Sequence, residues 1–193
     1  MGREFELKYR CDEDTLNRIA KAIDGLTPIT METTYYDTRD LKLAFHHWTL
    51  RHRMENGRSV CTFKSPADDG SRNEWEVPCN SIMEAIPQLC QMGAPWELMR
   101  CTAGGVHPFC GAKFTRLAKV LALENATVEL ALDSGILIGG GKNQPFAEVE
   151  VELKSGPREE AIAFAKLLAA QYPLTPEPKA KVVRARELAF GAI

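Results

Sequence analysis

Polar and apolar residues alternate along most of this chain, and the period of the alternation assigns its elements. Residues 3–11 change face at every step, with Glu4, Glu6, Lys8 and Arg10 on one side and Phe5, Leu7, Tyr9 and Cys11 on the other. A period of two is that of a strand. The period then lengthens: Leu16, Ile19, Ala20 and Ile23 recur at helical spacing between Asp12, a suitable N-cap, and Gly25, so a helix is predicted over 13–24. Residues 30–38 are rich in β-branched and aromatic side chains and read as a second strand. Residues 48–54 and 60–65 flank Asn56-Gly57, a sequence that favours a tight hairpin turn. Residues 72–77 alternate again, Arg72, Glu74 and Glu76 facing away from Asn73, Trp75 and Val77.

The second half repeats the pattern. A helix is expected over 81–92 from Ile82, Ala85, Ile86 and Leu89, with Pro87 kinking or ending it. Residues 93–108, rich in Gly and Pro, read as connecting loop; 109–123, 127–133 and 135–138 read as three strands, and Gly139-Gly140-Gly141 as a turn. The clearest alternation is 146–154, where Glu148, Glu150, Glu152 and Lys154 share one face and Ala147, Val149, Val151 and Leu153 the other. An amphipathic helix over 159–172, a stiff linker over 173–178 and a short basic helix from 179 to about 190 complete the chain. The 193 residues are expected to form one domain, 1–193, with a core that needs no disulfide or structural metal.

Bulk composition changes this picture little. Hydrophobic residues make up 45% and charged residues 26%, and the formal net charge of −2 excludes neither anionic nor cationic ligands. The six cysteines show no C-x-x-C pair, and the pairing of His46, His47 or His107 with Cys101 and Cys110 has no zinc spacing. No apolar run approaches the roughly 18 residues that span a bilayer, so reduced thiols, a cytoplasmic location and no membrane role are expected. Nucleic-acid binding is not expected either, because the basic residues are interleaved with acidic ones and lack stacking aromatics on the same faces. Oligomeric state is not readable.

The position of the charges says more than their sum. The polar faces collect Glu4, Glu6, Glu74, Glu76, Glu129, Asp133, Glu148, Glu150 and Glu152 on the acidic side, and Lys8, Arg51, Arg53, Lys64, Arg72 and Arg116 on the basic side. A solvent-facing open sheet is the ordinary reading of any one alternating strand. Yet like charges two residues apart cost stability unless something bridges them. A hard divalent cation bridges E-x-E, and phosphate bridges R-x-R through paired N–H donors. Both needs are met by one ligand, a metal-bound polyphosphate.

Glu4-Phe5-Glu6-Leu7-Lys8 resembles the E-x-E-x-K signature of the CYTH superfamily, the triphosphate tunnel metalloenzymes. Further pieces follow in that family's order: Tyr35-Tyr36-Asp37-Thr38, Leu50-Arg51-His52-Arg53, Thr62-Phe63-Lys64, Arg72-Asn73-Glu74, Arg116, Glu129 with Asp133-Ser134-Gly135, Glu148 to Glu152, and Lys181-Val182-Val183-Arg184. The resemblance is nearest to the bacterial inorganic triphosphatases. It implies an α+β fold: a closed eight-stranded antiparallel barrel, open or nearly so at both ends, with a charged interior and helices packed outside. By the same resemblance Glu4, Glu6, Asp133, Glu148 and Glu150 hold metal, with Glu152 or Glu129 assisting. Lys8, Arg51, Arg53, Lys64, Arg72, Arg116, Lys181 and Arg184 grip phosphate, and Glu4, Glu6, Lys8, Arg51 and Arg53 stand closest to the chemistry. The implied cofactor is Mg²⁺ or Mn²⁺, two per site, and the implied reaction is attack of an activated water on the terminal phosphorus of tripolyphosphate.

Two relatives within that family compete. Thiamine triphosphatases place a Trp two residues before R-x-R, a slot filled here by Thr49, with Trp48 on the opposite face. Class IV adenylate cyclases share E-x-E-x-K and use a ribose oxygen in place of water. A non-catalytic polyphosphate binder is the alternative of another class, and it has no need of the Glu pairs. Glu4→Gln or Glu150→Gln is expected to abolish hydrolysis and leave the fold intact.

Overall fold

The computed structural model describes residues 2–191. Its strands are β1 (Gly2–Arg10), β2 (Thr27–Asp37), β3 (Thr49–Glu55), β4 (Arg58–Pro66), β5 (Arg72–Pro78), β6 (His107–Ala122), β7 (Thr127–Gly139), β8 (Lys142–Ser155) and a two-residue β9 (Thr175–Pro176). Its helices are α1 (Glu13–Ala22), α2 (Lys42–Phe45), α3 (Ile82–Gln91), α4 (Glu97–Thr102), α5 (Arg158–Gln171) and α6 (Lys181–Phe190). The strands pair antiparallel in the order β5-β4-β3-β2-β6-β7-β8-β1, and β1 pairs back to β5 through Glu4 opposite Arg72. That last pairing closes the sheet into an eight-stranded barrel and, among the described residues, leaves no long unpaired edge.

Closure divides the residues as the alternation predicts. The apolar outer faces take the helices: α3 and α4 cover Leu50, Phe63, Trp75 and Val77, while α1 and α5 cover Val128, Leu130, Val149 and Val151. Each large side chain buried in this way contributes about 1.5–3 kcal/mol. Asp12 accepts from the Thr15 backbone N–H at 2.7 Å and starts α1 as expected. Trp48 packs edge-on against Phe63 on the outer face, so Thr49 does point inward.

Several expectations are corrected. The stretches 127–133 and 135–138 are one strand, β7, because Gly135 lets the neighbouring backbone approach: a Cβ there would lie 2.2 Å from the Lys113 carbonyl oxygen. The expected loop 93–108 contains α4, and Pro87 neither ends nor splits α3, whose face Ile82, Ala85, Ile86 and Leu89 stays buried on the barrel. The linker 173–178 pairs briefly with β1, Thr175 opposite Arg10, and α6 starts at Lys181. Helix α6 also differs from the other helices in place. It packs through Val182, Ala185 and Leu188 on Met31, Tyr35, Phe114, Leu137 and Phe146, which lie on the inward faces of their strands.

Candidate active site in the barrel interior

The polar faces enclose a cavity of about 340 Å³. Its walls include Glu4, Glu6 and Lys8 from β1, Arg51 and Arg53 from β3, Lys64 from β4, Arg72 and Glu74 from β5, and Arg116 from β6. Glu129 from β7, Glu150 and Glu152 from β8 and Lys181 from α6 also line it. Asp133, Glu148 and Arg184 lie behind this wall, joined to it by ion pairs. The fold therefore brings together residues up to 177 positions apart, from Glu4 on β1 to Lys181 on α6, the strand residues placed by alternation and Lys181 by its helix.

One side of the interior is acidic. Cross-strand register sets Glu6 beside Glu152 and Glu152 beside Glu129, and in the next rows Lys8 beside Glu150 and Glu148 beside Asp133. Asp133, Glu148 and Glu150 each offer a carboxylate oxygen within 4.8 Å of the other two, and all three are buried. Hard oxygen donors at that spacing suit Mg²⁺ or Mn²⁺. A cationic group already lies among them: Lys181 Nζ is 2.8 Å from both Asp133 and Glu150 and contacts Glu148. Arg116 donates two parallel bonds of 2.8 Å to Asp133 and a further one to Glu150, and Arg184 donates to Glu148. Burial pushes the Glu150 carboxyl up, but Lys181, Arg116 and Lys8 together hold it well below the usual carboxylate range. Glu148 moves the other way: burial, reinforced by Glu150, outweighs Lys181 and raises it. Glu152 is raised by burial and by the carboxylates of Glu4 and Glu129, against the pull of Lys154.

The facing side is basic and under-satisfied. Arg53 is buried, and its partners among the described residues are Thr33 Oγ1 at 2.9 Å and Glu55 at 3.4 Å. Burial, with Arg51 beside it, pushes its guanidinium down to about 10. The nearest carboxylate to Arg51 is Glu74 at 3.7 Å, and the Nε atoms of Arg51 and Arg72 are buried without a hydrogen-bond partner. Buried donors left in this way require a ligand or water. Between the two sides Lys64 contacts Glu4 and reaches Glu74 at 3.1 Å, and Lys8 reaches Glu6 at 3.2 Å. Sequence reasoning did not assign Glu55 and Lys154 to the site, although both line it. The signal was present, since each lies two residues beyond a residue that was assigned.

A second cavity of about 280 Å³ meets the first at Thr49, Arg72, Ala180 and Val182. Tyr36, Trp48 and Phe109 contribute its aromatic wall, and Lys179 and Arg186 its further cations.

Comparison with known proteins places this geometry. The CYTH domain family matches residues 2–185. An inorganic triphosphatase of Haemophilus influenzae is 30% identical over 139 residues, 70% of this chain and 39% of that protein, so the chain spans well under half of its relative. Among solved structures, a Hippeastrum protein studied as an adenylyl cyclase, with a dominant triphosphatase activity, superposes with a TM-score of 0.65 at 17% identity, covering 98% of this chain and 97% of that one. A Bacillus halodurans protein described as an adenylate cyclase superposes with a TM-score of 0.63 at 18% identity over 95% of this chain and 98% of the other. At those identities the two structures speak for the fold alone.

Proposed function

Since this chain belongs to the CYTH family, we propose that its barrel hydrolyses inorganic triphosphate to pyrophosphate and phosphate with a divalent metal. The observation that carries this reading is the opposition across one cavity of buried, under-partnered arginines and a buried carboxylate cluster. Arg51, Arg53 and Arg72, with Lys64 and Lys8, have N–H donors to give to phosphoryl oxygens, and a triphosphate repels water until such charges neutralise it. Glu4, Glu6, Asp133, Glu148 and Glu150 would hold metal, with Glu152 beside them. A bound Mg²⁺ or Mn²⁺ supplies Lewis acidity to the phosphate and lowers the pKa of water. Arg116 and Arg184 keep the carboxylates oriented, and the substrate chain lies along the arginine wall. The named activity of the Haemophilus relative supports the same substrate.

We read residues 1–193 as one such domain with a small-molecule substrate. The cations of the site share its walls with carboxylates inside an enclosed cavity, which favours a compact phosphate ligand over nucleic acid. Among the described residues no helix is long and apolar enough to cross a membrane, and the six cysteines are free.

The second, aromatic-walled cavity favours a second reading, in which an organic triphosphate such as ATP places its base beyond Arg72. A phosphate-release screen of tripolyphosphate, pyrophosphate, ATP and thiamine triphosphate, each with Mg²⁺, Mn²⁺ or EDTA, separates them. Metal-dependent release from tripolyphosphate is expected. Cyclic AMP from ATP, with no release from tripolyphosphate, would replace the hydrolase reading by a cyclase.

A further inference from the structure

Lys181 is placed where a metal ion is wanted. Its ammonium contacts Asp133, Glu148 and Glu150 together, and the side chain is 7% exposed. The ammonium donates to Glu150 Oε1 at 2.8 Å and lies in direct contact with the buried Oε1 of Glu148. The rings of Phe114 and Phe146 lie 5.1 and 5.5 Å from the same nitrogen. With Arg116 on Asp133 and Glu150, and Arg184 on Glu148, three carboxylates face three cationic side chains, and the cluster is already neutral. A divalent ion added to it with Lys181 in place would create a surplus of positive charge in a buried site, which is strongly disfavoured.

We propose that Lys181 is an internal competitor for the metal: its ammonium must leave the Asp133–Glu148–Glu150 cluster before a divalent ion binds there. The side chain has somewhere to go. Lys181 already forms part of the cavity wall, and its long stem pivots from the first residue of α6. Phosphate in the cavity offers the displaced ammonium a new partner, so anion and metal loading reinforce each other. That phosphate half rests on the hydrolase reading above; the metal half does not. Thermodynamic linkage then requires the metal to bind more tightly once phosphate is present, by the same factor as phosphate does once metal is present.

The test uses the full chain, stripped of metal with EDTA, and Mn²⁺ alone as the probe in titration calorimetry and electron paramagnetic resonance. Lys181→Met and Lys181→Gln are expected to bind Mn²⁺ at least about tenfold more tightly than the wild type, because removing the ammonium leaves a net negative cluster. Equal affinity in the wild type and both variants overturns the competition while leaving the metal site standing. Mn²⁺ binding by none of the three overturns the metal reading itself. A variant that folds only when Mn²⁺ is added supports the proposal, since the metal then replaces the lost cation. The wild type decides independently: the Lys181 ammonium signal in a proton–nitrogen spectrum, identified by its loss in Lys181→Gln, is expected to shift or vanish on Mg²⁺ titration. A signal unmoved by saturating Mg²⁺ overturns the proposal whatever the variants do.

Discussion

At the scale of single residues, the interior is a ledger of charges that are matched and charges that are not. Arg53 belongs to the second kind, buried with one hydroxyl and one long contact to Glu55. Arg53→Ala is therefore expected to weaken tripolyphosphate binding by about 1.5–3 kcal/mol, the range for a charge-assisted hydrogen bond. It removes a poorly compensated buried charge, so the ligand-free protein should lose no more than about 1 kcal/mol. Calorimetric titration and thermal melts check the two halves separately; unaltered affinity would take Arg53 out of the phosphate wall. Glu150 belongs to the first kind. The sequence-based expectation that Glu150→Gln leaves the fold intact treats it as a carboxylate in a wet tunnel, but Glu150 is 7% exposed and contacts Arg116 and Lys181. Neutralising it leaves buried cations uncompensated, a loss of about 3–5 kcal/mol. A denaturant melt of Glu150→Gln should show that loss, and a wild-type midpoint would contradict the burial argument. Alternation along the chain shows that Glu150 points inward; it carries no signal for which cations meet it, because those come from β6 and α6.

At the scale of elements, period-two patterns located the long strands because a closed barrel makes every strand two-faced. What escaped them depends on contacts far apart in sequence. The triplet Gly139-Gly140-Gly141 reads as a turn, and Gly140 and Gly141, at φ +57° and +74°, do turn the chain. Gly139 does something else: a Cβ on it would fall 2.3 Å from the Ala185 carbonyl oxygen and 2.9 Å from the Ala189 nitrogen. It is the gap through which α6 settles on the inner face. Gly139→Ala should push α6 outward at a cost of about 1–3 kcal/mol. Amide hydrogen exchange over 182–190 is expected to accelerate while β1 and β8 keep their protection. Exchange unchanged in α6 would mean the contact relaxes without moving the helix. Nothing local in the basic pattern of residues 179–190 marks this helix as the one that packs inward, and only the spacing of Lys181 and Arg184, three residues apart, hints that one face is offered to the barrel.

At the scale of the whole molecule, a barrel filled with opposed charges has a stability that depends on pH in both directions. Glu150, held low by its three cations despite burial, and Glu74, held low against burial by Lys64 and Arg51, bind fewer protons folded than unfolded. Their contribution is present above the unfolded carboxylate value of about 4.3 and is lost as pH falls towards their folded values. Glu148 and Glu152 are raised, chiefly by burial, and bind more protons folded than unfolded. Stability from these two is greatest at and below the unfolded value and declines as pH rises through their folded values. The opposite slopes meet just above the ordinary carboxylate range, so the thermal midpoint of the metal-free protein should pass through a maximum near about pH 5. Glu152→Gln removes one of the two groups responsible for the decline on the neutral side, and its profile should be flatter there than that of the wild type. Differential scanning calorimetry between pH 3 and 8 in EDTA measures both curves. A wild-type midpoint that climbs steadily from pH 5 to 7 would mean that Glu148 and Glu152 are not desolvated, and that the bore is filled by bulk water instead of being enclosed by protein.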